Sequence, residues 1–203
     1  MGCGIAFLAR QVDPVGLQCA RLVLETPVPQ PVRPAVQDVE PRADAARILS
    51  ETMKGRHRST DLINRRLAGY GPDRRRDAAL MHELVIGVLR QRLALLAVVG
   101  RFVKRPLHDL EDPVREVVLC MAYQALFLDR IPPHARVSTA VEAARRVSGD
   151  GAAGFVNAVG RALEAARSSE DLLTGLPEGV RWSLPDWALK RIRPLLGADL
   201  GPE

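Results

Sequence analysis

Arginine dominates the chemistry this sequence offers. Arg56 and Arg58 fall in one short segment, Arg65 and Arg66 in the next, and Arg74, Arg75 and Arg76 run consecutively. Arg90, Arg92, Arg101, Lys104 and Arg105 follow. The charge is concentrated there. From Arg42 to His108 there are 15 basic and 6 acidic residues, net +9, whereas residues 109–203 carry net −3 and residues 1–41 net −1. A guanidinium forks onto phosphate oxygens and stacks on bases, so an arginine-rich face suits RNA. The leading phosphate contacts are Arg74, Arg75, Arg76, Arg90 and Arg92, with Arg101, Lys104 and Arg105 behind them. The same residues also fit a plainly solvated helix face, because lysine occurs only at 54, 104 and 190 and nearly all 29 basic residues are arginine. Few aromatics interleave with them, so base stacking on aromatic rings is not expected from this stretch.

Other constellations offer less. Gly149-Asp-Gly-Ala-Ala-Gly154 spells a G-x-G-x-x-G pattern. That motif needs a preceding strand to deliver a pyrophosphate to a helix N-terminus, and Val141 to Val147 is helical in pattern. The glycines therefore predict a corner between two helices. His57, His82, His108 and His134 lie in four separate segments, with no pair spaced for one metal on one helix face. Each reads as a surface or cap residue. Cys3, Cys19 and Cys120 have no ligand spacing, and their odd number argues against a disulfide framework. Cys120 sits in an apolar helix and reads as a small buried hydrophobe. No serine lies in a nucleophile elbow. A reducing, cytoplasmic setting fits this cysteine usage. The start Met-Gly-Cys-Gly-Ile-Ala has too short an apolar run for a secretory signal, and Ala6 stands where acylation wants Ser or Thr.

The elements that position these residues are helical. The chain has 203 residues, 47% apolar but only 4% aromatic, which suits one domain of packed helices with a tail. Residues 1–42 read as a proline-punctuated, extended tail, with at most a short weak helix near its start. From Ala43 the helical period takes over, with Asp44 as a cap. Ser59 or Asp61 caps a second helix, and Pro72-Asp73 opens a longer one. Its apolar rows, Leu80-Leu84-Val88 and Met81-Val85-Leu89, predict a place at the centre of a bundle. Leu93 to Val103 continues helically until Pro106, Asp112 caps the next helix with Pro113 in its first turn, Ile131-Pro132-Pro133 turns the chain, and two further helices flank Gly149 to Gly151. Residues 168–184 are a loop before a last short helix at 185–196. The expectation is an all-α bundle of seven or eight helices: a tail at 1–42, a domain at 43–167, and a connecting segment at 168–203.

Four segments together resemble one family. They are Glu83-Leu-Val-Ile-Gly-Val-Leu-Arg90, Met121-Ala-Tyr-Gln124 through Ile131-Pro-Pro-His-Ala135, Val141-Glu-Ala-Ala144, and Gly154-Phe-Val-Asn-Ala-Val-Gly-Arg161. In order and spacing they resemble the NusB-like domain that begins RsmB/Sun-type ribosomal RNA cytosine-5 methyltransferases, over about Arg42 to Leu196. The resemblance implies two stacked three-helix groups and an RNA-binding role. Leu184-Pro-Asp-Trp187 is similar to the helix leading into the methyltransferase part of those enzymes. Independent physical reasons fit the shared residues. Gly87 lets a neighbouring helix approach closely, and Pro132 fixes a turn. Asn157 and Arg161 could bond helix ends and backbone carbonyls.

Departures from the family pattern carry expectations too. Arg136 stands where the family has a small apolar residue, and Gly160 replaces a leucine. A mid-helix glycine costs about 1 kcal/mol relative to alanine, which predicts a less stable copy. No glycine-rich S-adenosylmethionine loop is present, and no Pro-Cys or Thr-Cys dipeptide, so no catalytic residue is carried over and no cofactor is implied. The expectation is a non-catalytic RNA-binding module, in rRNA maturation or in transcription antitermination. The alternatives are a protein-interaction subunit, for a separate methyltransferase domain or a ribosomal protein, and a remnant of a truncated gene. Trp182 and Trp187 near the C-terminus would serve the former.

Overall fold

The computed structural model describes residues 36–104 and 106–196, with backbone alone at 36–38 and at 196. The readings of residues 1–35, including those of Cys3, Ala6 and Cys19, and of Arg105 lie outside the described residues. The described part holds nine α-helices and no strand. They are α1 (Val36–Met53), α2 (Ser59–Leu67), α3 (Arg75–Arg90), α4 (Arg92–Gly100), α5 (Asp112–Phe127), α6 (Pro133–Ser148), α7 (Asp150–Arg167), the single turn α8 (Glu178–Arg181) and α9 (Asp186–Leu196). Short 3-10 turns at Pro72–Arg74 and Leu107–Asp109 precede α3 and α5. No helix among them is long and apolar enough to cross a membrane.

Two mutually packed triplets form the fold, α1–α2–α3 and α5–α6–α7, joined where α1 lies on α5 and α6 and where α3 meets α5. The central element is α5, not α3. Every residue of α5 from Glu116 to Ala125 is buried, whereas α3 buries only the Met81, Leu84, Val85, Gly87, Val88 side. The opposite side of α3 carries Arg75, Arg76, His82, Glu83 and Arg90 to solvent. Two adjacent apolar rows thus made a wide buried stripe rather than an encircled helix.

The first helix also departs from the sequence pattern. It starts at Val36 and runs through Pro41 rather than beginning at Ala43. An interior proline costs a hydrogen bond. Burial on both sides of it, at Val39, Ala43, Ala45, Ala46 and Leu49, offsets that cost. Asp44 is therefore not a cap; it is a buried partner in an ion-pair network described below. At α2 and α5 the cap positions fall to Arg58 and Glu111, neither of which makes a side-chain cap bond.

The predicted corners form. Pro132 and Pro133 start α6, and Arg136 N–H donates to Pro132 O at 3.1 Å. Gly149 adopts φ +82°, and its N–H donates to Arg145 O at 2.9 Å, so α6 ends and α7 begins at the next residue. A left-handed φ of this kind favours glycine. Gly87 faces the Tyr123 ring so closely that a Cβ would fall inside it. Gly87→Ala is expected to cost about 3 kcal/mol by overpacking, read as a lower denaturant midpoint at unchanged m-value. Gly160 is likewise explained by crowding. A Cβ there would lie 2.8 Å from Met121 Sδ and 3.1 Å from both Val137 methyls. It is where α7 approaches α5 and α6, and not simply a weak point in a helix.

The Tyr123 hydroxyl donates to Glu83 Oε1 at 2.6 Å, and its ring stacks on Phe127 at 5.2 Å. Burial, then the Glu83 hydrogen bond, push its phenol up to about 12. The Tyr70 phenol is also raised, by burial and by Asp44. A raised folded pKa favours the protonated form, so this stability holds below the unfolded value near 10 and is lost as pH climbs to about 12. The melting temperature should accordingly fall between about pH 10 and 12 through this linkage. Phenolate absorbance should lag the free-tyrosine curve until unfolding. A tyrosine titrating near 10 in the folded chain would contradict these contacts.

Candidate nucleic-acid interface

The sequence-derived basic residues separate into two sets. Arg75 and Arg76 begin α3 and Arg90 ends it; all three are exposed and enter no ion pair among the described residues. At 100° per residue they share one arc of about 100° on the helix, and at 1.5 Å per residue they span about 22 Å. Arg101 and Lys104 are exposed beyond the C-terminal end of α4. Arg56, Arg58 and Arg65 add further exposed guanidinium groups around α2, unpaired among the described residues.

Arg74 and Arg92 are different: both are held by carboxylates. Arg74 pairs with Glu40 at 2.8 Å and Asp77 at 3.0 Å, and its guanidinium lies 4.8 Å from the Tyr70 ring centroid. Arg92 makes a fork to Glu116, with both bonds at 2.8 Å. Glu116 is fully buried, and these bonds hold the Arg92 guanidinium above its ordinary pKa. Asp77 is a local partner three residues along, but the pairings with Glu40 and Glu116 join separate helices and leave no local signal in the sequence.

A network fixes this corner. Asp44, buried in α1, accepts Arg66 Nε at 2.5 Å and the Tyr70 hydroxyl at 2.8 Å. Glu40, one turn earlier, accepts Arg66 Nη2 at 2.9 Å as well as Arg74. Five side chains thereby tie the α2–α3 connection to α1. The start of α3, with Arg75 and Arg76, is positioned by them.

The remaining motifs find no chemistry here. Gly151 lines a cleft of about 370 Å³ with Leu110, Val114 and Phe155, but Asp109 and Glu111 also line it. Two carboxylates at its edge repel a pyrophosphate, and the element before Gly149 is a helix. All four histidines are exposed, and no metal-ligating cluster exists among the described residues. Cys120 is buried, which pushes its thiol well up. Arg161 is exposed and makes no bond among the described residues, so the expected carbonyl-bonding role is not realised.

The match over residues 39–164, which covers α1 from Val39 through most of α7, decides the family. The chain belongs to the NusB family. Among its relatives are the ribosomal RNA small subunit methyltransferases B of Erwinia tasmaniensis, 34% identical over 119 residues, and of Escherichia coli O139:H28, 33% identical over 119 residues. That of Shigella boydii serotype 18 is also 33% identical over the same length. The matched part is 58% of this chain but only 27% of each relative. The NusB-family region thus contains the whole ion-pair network and the exposed face of α3. Trp182 and Trp187 lie beyond it.

Proposed function

We propose that this chain is a non-catalytic RNA-binding module, acting in ribosomal RNA modification or in transcription antitermination. The observation that carries it is the exposed set Arg75, Arg76 and Arg90 on one face of α3, unpaired among the described residues and extended by Arg101 and Lys104. Uncompensated guanidinium groups held on a rigid helix are what phosphate recognition requires. Membership of the NusB family and the names of the relatives support the ribosomal RNA setting. Residues 36–167 would form the binding module and 168–203 a connecting segment.

The test is fluorescence anisotropy of the full chain with a labelled ribosomal hairpin and a labelled antiterminator-type single strand, at low and at physiological salt. Binding that weakens steeply with salt supports the proposal, because each neutralised phosphate releases counterion. A preference between the two RNAs chooses between the two settings. No binding to either RNA at low salt overturns it.

A second reading, docking onto a separate methyltransferase domain or a ribosomal protein, draws on the exposure of Trp182 and Trp187. The charge around those residues favours a polyanion instead.

A further inference from the structure

The sequence separates the basic stretch from Trp182, but the fold brings the segment that holds it onto α4. The turn α8 packs on α4, and Ser183 Oγ accepts the Ala94 N–H at 3.1 Å, in the first turn of α4. This bond fastens residue 183 beside Leu93, three residues from Arg90. Trp182, its neighbour, is 58% exposed, and the Arg181 guanidinium lies 6.0 Å from its ring centroid. Trp187, in the first turn of α9, is 72% exposed. Lys190 and Arg191 follow it at three and four residues, so the three share one outward face, and both cations are exposed and unpaired among the described residues. The inner side of α9 is seated on α8, where Leu189 approaches Gly179 and Arg193 pairs with Glu178.

From this we infer that Trp182 and Trp187 form a base-stacking platform for unpaired RNA nucleotides, continuous with the basic face of α3 through Arg90. The inference rests on the RNA reading above and narrows it to single strands. Three arguments carry it. Exposed indole faces flanked by cations match what a single strand presents, π-faces joined by phosphates. With Arg193 paired to Glu178, the segment still presents Arg181, Lys190 and Arg191 against the single acid Asp186, which complements a polyanion. Protein interfaces, by contrast, deplete lysine, and Lys190 lies one turn from Trp187.

The two tryptophans are the only ones in the chain, so indole emission reports this platform alone. The full chain is titrated with labelled oligouridylate and with an abasic ribose-phosphate oligomer of equal length, following anisotropy and tryptophan emission together. Oligouridylate should quench emission along its binding curve, while the abasic oligomer should bind without quenching. Trp182→Ala with Trp187→Ala should weaken oligouridylate by about 5- to 150-fold per stacked base and leave the abasic oligomer unchanged. Circular dichroism checks that the variant stays folded. Oligouridylate binding without quenching, at an affinity the double variant retains, would overturn the platform and leave the basic face standing; a surface reserved for a protein would give that result. Failure of both oligomers to bind at low salt would overturn the RNA reading itself, and the platform with it.

Discussion

Glu164→Ala should destabilise the fold by about 3–5 kcal/mol, enough to unfold a marginal domain. Arg136, on α6, is 2% exposed. It forks onto Glu164 of α7 at 2.6 and 2.8 Å and gives its remaining bond to Ile131 O at 2.6 Å. Removing the carboxylate leaves a buried guanidinium with one carbonyl as partner. The desolvation cost of that charge then stands uncompensated. Replacing both members, as Arg136→Met with Glu164→Met, should recover most of the loss, because the buried charge and its partner leave together. Urea midpoints of the wild type and the two variants check this. An Arg136 that mattered only as surface charge would show a loss under about 0.5 kcal/mol for Glu164→Ala. The same pair explains why an arginine can occupy a position where the resemblance leads one to expect a small apolar side chain.

The second large effect is on binding. Arg75→Glu, Arg76→Glu and Arg90→Glu combined should lower RNA affinity by about 100-fold at moderate salt, taking about 1 kcal/mol per lost phosphate contact. Stability should barely move, since all three are exposed and unpaired among the described residues. Arg74→Glu and Arg92→Glu should do the opposite. They set like charges against Glu40, Asp77 and the fully buried Glu116, so the domain should unfold before its affinity can be read. A reversal of Arg74, Arg75 and Arg76 together, the obvious choice from sequence, would mix these two effects.

How far the sequence sufficed follows from the range of each signal. Pro132 and Gly149 are local, and both corners lie where the residues place them. The apolar period located the longer helices from α2 onwards, whereas the single turn α8 falls inside the segment 168–184 that reads as a loop; Gly87 is a point of close approach, as its position suggests. Signals that depend on a distant partner were lost. The Arg92–Glu116 pair spans 24 residues and Arg136–Glu164 spans 28. The bond that brings Trp182 to α4 spans 89. Helix α1 was cut short because Pro41 acts locally as a breaker, while the burial that outweighs it is tertiary. The arginine cluster was legible as composition; the Arg74–Asp77 pair is local, but the hold of Glu40 on Arg74 and of Glu116 on Arg92 is a property of packing.

The most direct measurement is the salt dependence of RNA affinity for the wild type and for the Arg75→Glu, Arg76→Glu, Arg90→Glu variant, plotted as log K against log salt. The wild-type slope should be steep and the variant slope shallower by about 2, from three lost contacts at about 0.7 each on a single strand. Equal slopes and equal affinities in a folded variant would contradict the assignment of the α3 face to RNA.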